Sequence, residues 1–142
     1  MIHEGGYHCG NLRLTLGLSH PPQEFRLRAC GCSFCRVHAT RTTSDPLGAA
    51  EIWAQDWDLA EPYRFGSRFA DFLLCRRCGV YIGAVCTTEA GTWAVINTNS
   101  LTDRALFTGT VAPIDHEGES TKDRLVRRTT TWTPAILHRQ NA

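Results

Sequence analysis

Between Asn11 and Leu18, Leu12, Leu14, Leu16 and Leu18 alternate with other residues. A period of two sends successive side chains to opposite faces of a pleated strand, so this stretch predicts a strand with one buried face. Pro21-Pro22 ends it, and Phe25-Arg26-Leu27-Arg28-Ala29 alternates again. Further strands are predicted over Ala49–Ala54, Phe69–Leu74, Val80–Val85 and Gly91–Asn99. Between them, Thr40–Leu47 with its Asp45-Pro46 pair reads as a loop, Asp56–Pro62 as a turn, and Tyr63–Arg68 as a short hairpin arm. Helical signals are brief: Ser33–His38 and Leu101–Ala105 predict single turns. Ile114–Lys122 is polar and reads as a mobile segment. Arg124–Trp132, with its threonines and tryptophan, reads as a β-stretch stopped by Pro134. No long amphipathic helix and no internal repeat is evident. The pattern predicts a mainly β fold of short strands with few helical turns.

A chain of 142 residues, 42% hydrophobic and 20% charged, is the size of one domain with its own core. One domain is expected over 1–142, with 109–142 packed on it as a C-terminal extension. The formal net charge of +1 leaves no electrostatic footprint for nucleic acid. The first residues, Met1 to Gly6, hold no apolar core of a secretory signal, and the longest apolar run, near Val80–Cys86, is too short to span a bilayer. No membrane partner and a cytoplasmic location are therefore expected. The oligomeric state is not legible.

The seven cysteines change this picture. Cys30, Cys32 and Cys35 form a C-x-C-x-x-C cluster at the end of a predicted strand. Positions i and i+2 of an extended segment share a face, and the two-residue gap lets the third sulfur close on the same point. Zinc asks for that arrangement, and structural zinc sites fill four positions with protein ligands. Three local ligands leave a fourth to come from a distant residue, water or substrate. Cys75-Arg76-Arg77-Cys78-Gly79 lies between two predicted strands, the pattern of a zinc knuckle in which glycine relieves the tight turn. In a reducing compartment such clusters favour metal over disulfides. Cys9 is a lone thiol that Cys75 and Cys78 would need as a partner, and Cys86 falls in a strand as a core residue.

Together, Gly5-Gly6-Tyr7-His8-Cys9-Gly10, the central Cys30–Arg36 cluster and Cys75–Gly79 resemble the glutathione-dependent formaldehyde-activating enzyme family, which shares a zinc-binding β-tent fold with centromere protein V. The resemblance runs from Gly5 to about Asn99, with Arg127–Pro134 similar to some members. It implies a β-tent of short antiparallel strands, a catalytic zinc on Cys30, Cys32 and Cys35, and a structural zinc on Cys9, Cys75 and Cys78. It also implies a small-molecule thiol and an aldehyde as partners. The chain departs from the family at one position: the opening motif is Cys-x-Cys-Gly there and Tyr7-His8-Cys9-Gly10 here. The structural site then holds at most three cysteines, and His8, His3 or water is left to complete it.

An exchangeable position on a three-thiolate zinc would favour the thiolate of an incoming thiol, which adds to an aldehyde carbon. Glutathione as co-substrate brings carboxylates, so arginines are expected near the metal: Arg36 directly, with Arg64, Arg68, Arg76 and Arg77 also available. His38 is the candidate base, and Arg36 and His38 are the expected co-substrate-binding residues. Trp93, Asn97 and Asn99 are candidate pocket residues, with core packing the plainer role for Trp93. The expected activity is that of a carbon–sulfur lyase. The rival readings are a non-catalytic zinc module that binds a protein partner, and a thiol redox or metal-buffer protein.

Overall fold

The structure, a computed structural model, describes residues 1–63, 71–116 and 118–138, with the backbone alone for 61–63. Among these, eleven strands and two α-helices alternate with short 3-10 turns. β1 (Ile2–Gly6) and β2 (Leu12–Gly17) form a hairpin; β3 (Leu27–Cys30) leads into α1 (Ser33–Val37). β4 (Thr42–Thr43), β5 (Ala49–Ala54) and β6 (Ala60–Tyr63) follow. β7 (Asp71–Cys75), β8 (Tyr81–Thr88) and β9 (Gly91–Asn97) make a meander. β10 (Val111–Ile114), α2 (Thr121–Thr131) and β11 (Thr133–His138) complete the order. The fold is mainly β, and its sheet is not closed.

The alternation over Leu12–Leu18 does what its period requires. Leu12, Leu14 and Leu16 are buried while Arg13 is exposed. They pack with Ile52, Ile82, Ile96 and Leu101, all fully buried, into the main core. Each such side chain contributes about 1.5–3 kcal/mol on leaving water, so the core is set largely by these aliphatic residues.

Most pairings are antiparallel, but β10 runs parallel to β3 and β11 parallel to β5. β11 lies between two strands that come earlier in the chain. Thr133 and Pro134 pair antiparallel with Ala94 and Trp93 of β9, and Ala135–His138 then pair with Ala50–Trp53 of β5. Proline has no N–H for the ladder. The switch of partners falls directly after it.

Two expectations are corrected here. The segment around Arg124–Trp132 is helical, as α2, and Pro134 lies inside a strand instead of stopping one. Ser120 caps α2 by accepting the Asp123 N–H at 3.1 Å. The hydroxyls of Thr129, Thr130 and Thr131 turn back onto the carbonyls of Leu125, Val126 and Arg127, so the threonines meet their hydrogen-bond needs inside a helix. Within Ile114–Lys122, Ile114 ends a strand and Thr121 begins α2. The hairpin arm expected at Tyr63–Arg68 falls, beyond Tyr63, outside the described residues.

Candidate metal centres and the arginine-walled cavity

Cys30 ends β3, Cys32 is the extended N-cap of α1, and Cys35 lies in the helix. The Cys32 sulfur accepts the Cys35 N–H at 3.4 Å, which both caps the helix and aims the two thiols together. α1 then closes with the Thr40 N–H on the Cys35 carbonyl and the Ala39 N–H on the Arg36 carbonyl. That closure fixes Cys35 against the end of β3. The three sulfurs lie within 4.8 Å of one another. Zinc–sulfur bonds of about 2.3 Å set sulfurs roughly 3.8 Å apart in a tetrahedron, so the group can hold a metal ion and its all-sulfur donors suit zinc.

The second group forms where two turns meet. Cys9 lies in the β1–β2 turn, closed by the Gly10 N–H on the Tyr7 carbonyl. Cys75 and Cys78 lie in the β7–β8 turn, whose Gly79 has φ +77°, a left-handed conformation that glycine adopts without strain. The Cys75 sulfur accepts the N–H groups of Arg77 and Cys78 at 3.4 Å and lies 3.5 Å from the Cys9 sulfur. These three thiols also fall within 4.8 Å of one another and can hold a metal. Among the described residues, no histidine or carboxylate joins either group. His8 is exposed, and the buried His3 instead makes a 2.5 Å contact with Asp103 through Nδ1.

Electrostatics divides the thiols within each group. Hydrogen bonding from Cys35 pulls Cys30 down to about 5, against burial, with the Cys32 backbone and Arg127 helping. The Cys35 thiol is raised by sharing its proton with Cys30 and by burial. In the second group burial pushes Cys78 up, but the Val80 and Cys9 backbone bonds and the neighbouring thiols bring it down to about 7. Each group thus holds a thiol that ionises at or below neutral pH, and the thiolate is the form a metal binds.

The two groups differ in access. A cavity of about 750 Å³ opens on Cys30, Cys32 and Cys35, and none of the second group lines it. Phe72, Tyr81 and Trp132 supply apolar wall, and Arg28, Arg36, Arg124, Arg127 and Arg128 supply positive wall. Three of these arginines come from one face of α2, at the i, i+3, i+4 spacing of a helix. Arg127 is committed to Glu119, donating from Nε at 3.0 Å and from Nη2 at 3.1 Å. Arg28 Nη1 and Arg128 Nε and Nη1 are buried with no partner. Burial first, then neighbouring guanidiniums, lowers the affinity of both groups for their protons, although Cys86 offsets part of this at Arg128. The Arg128 guanidinium also sits over Trp132, 5.2 Å from the ring centre. His116 joins the wall, and burial followed by Arg127 pushes its pKa down, leaving a neutral imidazole.

Of the expected site residues, the structure brings Cys30, Cys32, Cys35 and Arg36 to the cavity and gathers Cys9, Cys75 and Cys78 elsewhere. His38 is exposed at the end of α1, where its Nδ1 lies 2.9 Å from the Phe34 carbonyl and its ring stacks on Phe34. It does not line the cavity. Arg76 and Arg77 flank the second group, while Arg64 and Arg68 lie outside the described residues. Asn97 is buried and holds the backbone at Arg41, Tyr81 and Asn99, so it is a scaffold residue. Asn99 donates to the Ala39 carbonyl, and Trp93 and Cys86 pack with Ala84, Val95 and Trp132. Sequence reasoning missed Arg28, Arg124, Arg127, Arg128 and His116. The Ser120-x-x-Asp123 spacing was the available signal for α2, and it would have put three arginines on one helical face.

The fold and the two groups define a mainly β protein with two three-cysteine sites that can hold metal ions, compatible with a zinc-binding module. No protein-family model matches the chain, and no curated protein matches it. A structural-genomics crystal structure of a Rhodobacter sphaeroides protein is similar, with a TM-score of 0.58 and 24% identity over 77% of this chain and 99% of that one. That likeness concerns the fold alone. No helix among the described residues is long and apolar enough to cross a membrane.

Proposed function

We propose that the chain is a zinc-dependent carbon–sulfur lyase-like enzyme that forms or cleaves a thiol–aldehyde adduct. Its pair is glutathione with formaldehyde, or a related thiol and aldehyde. The observation that carries this reading is the access of the Cys30–Cys32–Cys35 group to a cavity whose wall includes Arg28 and Arg128, with Arg28 Nη1 and Arg128 Nε and Nη1 buried and without a hydrogen-bond partner. The resemblance of the three cysteine clusters to the formaldehyde-activating family points the same way. A zinc ion held by this group supplies a Lewis-acid position at which an incoming thiol ionises more readily.

The protein's own residues supply the rest. Arg28 and Arg128 present guanidiniums for the carboxylates of an acidic thiol, and charge-assisted pairs of that kind orient as well as bind. Phe72, Tyr81 and Trp132 keep water from the reacting atoms. His116, neutral in this wall, accepts the thiol proton and returns it to the carbonyl oxygen. In the forward direction the sulfur–carbon bond forms and the carbonyl pair moves onto that oxygen. Orientation is the main contribution, since the addition is feasible without a protein.

The test is a glutathione titration of the cobalt-substituted chain. The expected result is a saturable change in the d–d and thiolate charge-transfer bands, followed by faster adduct formation when formaldehyde is added. A flat spectrum at millimolar glutathione would remove the reading.

A further inference from the structure

The cavity on Cys30, Cys32 and Cys35 has a wall of one sign. Among the described residues it is lined by five arginines and one carboxylate, Asp115, which is already engaged by other groups. Glu119, outside the lining, is taken up by Arg124 and Arg127. Three thiolates on a dication add only about one negative charge. Two guanidiniums are left short of partners: Arg28 Nη1 and Arg128 Nε and Nη1 are buried and have no hydrogen-bond partner. A buried donor left unpaired carries its desolvation penalty, and anionic oxygens satisfy a guanidinium best. The two groups stand on different walls. Arg28 precedes Cys30 by two positions on β3, so both face away from the buried Leu27, about 6.6 Å apart along the strand. Arg128 comes from α2 and sits over Trp132.

For a cation the same wall offers little. Like charges set against a ligand group exclude it. Aromatic faces can hold an ammonium, but Arg128 already sits over Trp132 at 5.2 Å and Phe72 stacks on Phe34 at 4.8 Å. We infer that the thiol taken by this cavity is a di-acid without an ammonium group: a sulfhydryl beside two carboxylates, one on Arg28 and one on Arg128. Glutathione shares the two carboxylates but carries a free α-ammonium, so it is the poorer fit. The inference rests on the thiol–aldehyde reading for the sulfur, whereas selection against the ammonium belongs to the arginine wall alone.

N-acetylation removes the ammonium of glutathione and leaves its thiol and both carboxylates. The cobalt-substituted chain is titrated with glutathione and with N-acetylglutathione, and the visible bands are followed. The N-acetyl form is expected to bind about 10-fold more tightly, the scale of one unit charge about 10 Å away at an effective dielectric of about 20. Mercaptosuccinate should likewise bind more tightly than mercaptoethanol. Calorimetry with S-methylglutathione and its N-acetyl derivative, whose blocked sulfur cannot form a thiolate, reads the wall without the metal, and the same preference is expected. Arg28→Gln and Arg128→Gln should each shrink the ratio of the two affinities toward one. A ratio taken within one variant is insensitive to a general loss of binding. Three results would overturn the inference: the free amine binding as tightly as the N-acetyl form in either titration, neither S-methyl ligand binding at millimolar concentration, or both variants keeping the wild-type ratio. A flat cobalt spectrum with the calorimetric preference intact removes the proposed activity and leaves the selectivity of the wall standing.

Discussion

Ala39 is the one non-glycine residue among those described with a left-handed backbone, at φ 49°. It follows the cap of α1, and its N–H and that of Thr40 close the helix on the carbonyls of Arg36 and Cys35. This closure favours glycine, because a Cβ in left-handed backbone costs about 1–2 kcal/mol. Ala39→Gly should therefore stabilise the fold by about 0.5–1 kcal/mol after the added freedom of the unfolded chain is deducted. Denaturant unfolding checks it. His116 supports a second prediction at this scale. In the proposed activity its neutral form takes the thiol proton, so that activity should fall as pH drops through a value below the ordinary 6.5. His116→Gln should lower kcat by roughly 100-fold, the scale of one acid–base group, and remove that acid limb while leaving KM nearly unchanged.

At the scale of elements, α2 carries three of the five arginines that face the cavity, and Glu119 tethers it through Arg127 and Arg124. The Arg127 hydrogen bonds hold the Glu119 carboxyl below its ordinary 4.5. A carboxyl depressed in the fold contributes stability above its unfolded pKa and loses it as pH falls through the folded one. The tether should thus weaken below about pH 4.5, and Glu119→Gln should flatten that part of the stability–pH curve, read by circular dichroism at several pH values. The elements also show what the sequence could and could not reveal. Leu12–Leu16, Ala49–Ala54 and the strands around Cys75–Gly79 were legible because period-two burial and turn residues are local signals. α2 was not, because three consecutive threonines favour strands by propensity and outweigh its capping serine and arginine spacing when the segment is read by composition. The parallel pairings of β10 and β11 were equally hidden, since nothing local in a short strand says which distant partner it takes. The cysteines were found by spacing, whereas the cavity wall opposite them came from residues about a hundred positions away.

At the scale of the molecule, a metal ion held by each cysteine group would constrain the chain unequally. Cys30–Cys35 ties a six-residue loop, whereas Cys9 and Cys75 lie 66 residues apart. A cross-link that closes a longer loop removes more freedom from the unfolded chain, although the dependence is shallow. Metal held at 1,000 times its dissociation constant adds about 4 kcal/mol to folding. Chelation should therefore lower Tm markedly. Cys75→Ser should reproduce most of that loss, and Cys30→Ser a smaller share, in melts with and without chelator.

The position of β11 between β5 and β9 sets an order of events during biosynthesis. Both neighbours are synthesised before Thr133 and Pro134, so each waits with part of an edge unpaired. Exposed edges are templates for pairing with other chains, and contacts so distant in sequence form late. The nascent protein thus passes through an interval in which its central seam is open, and its yield in the cell depends on how quickly that last strand arrives.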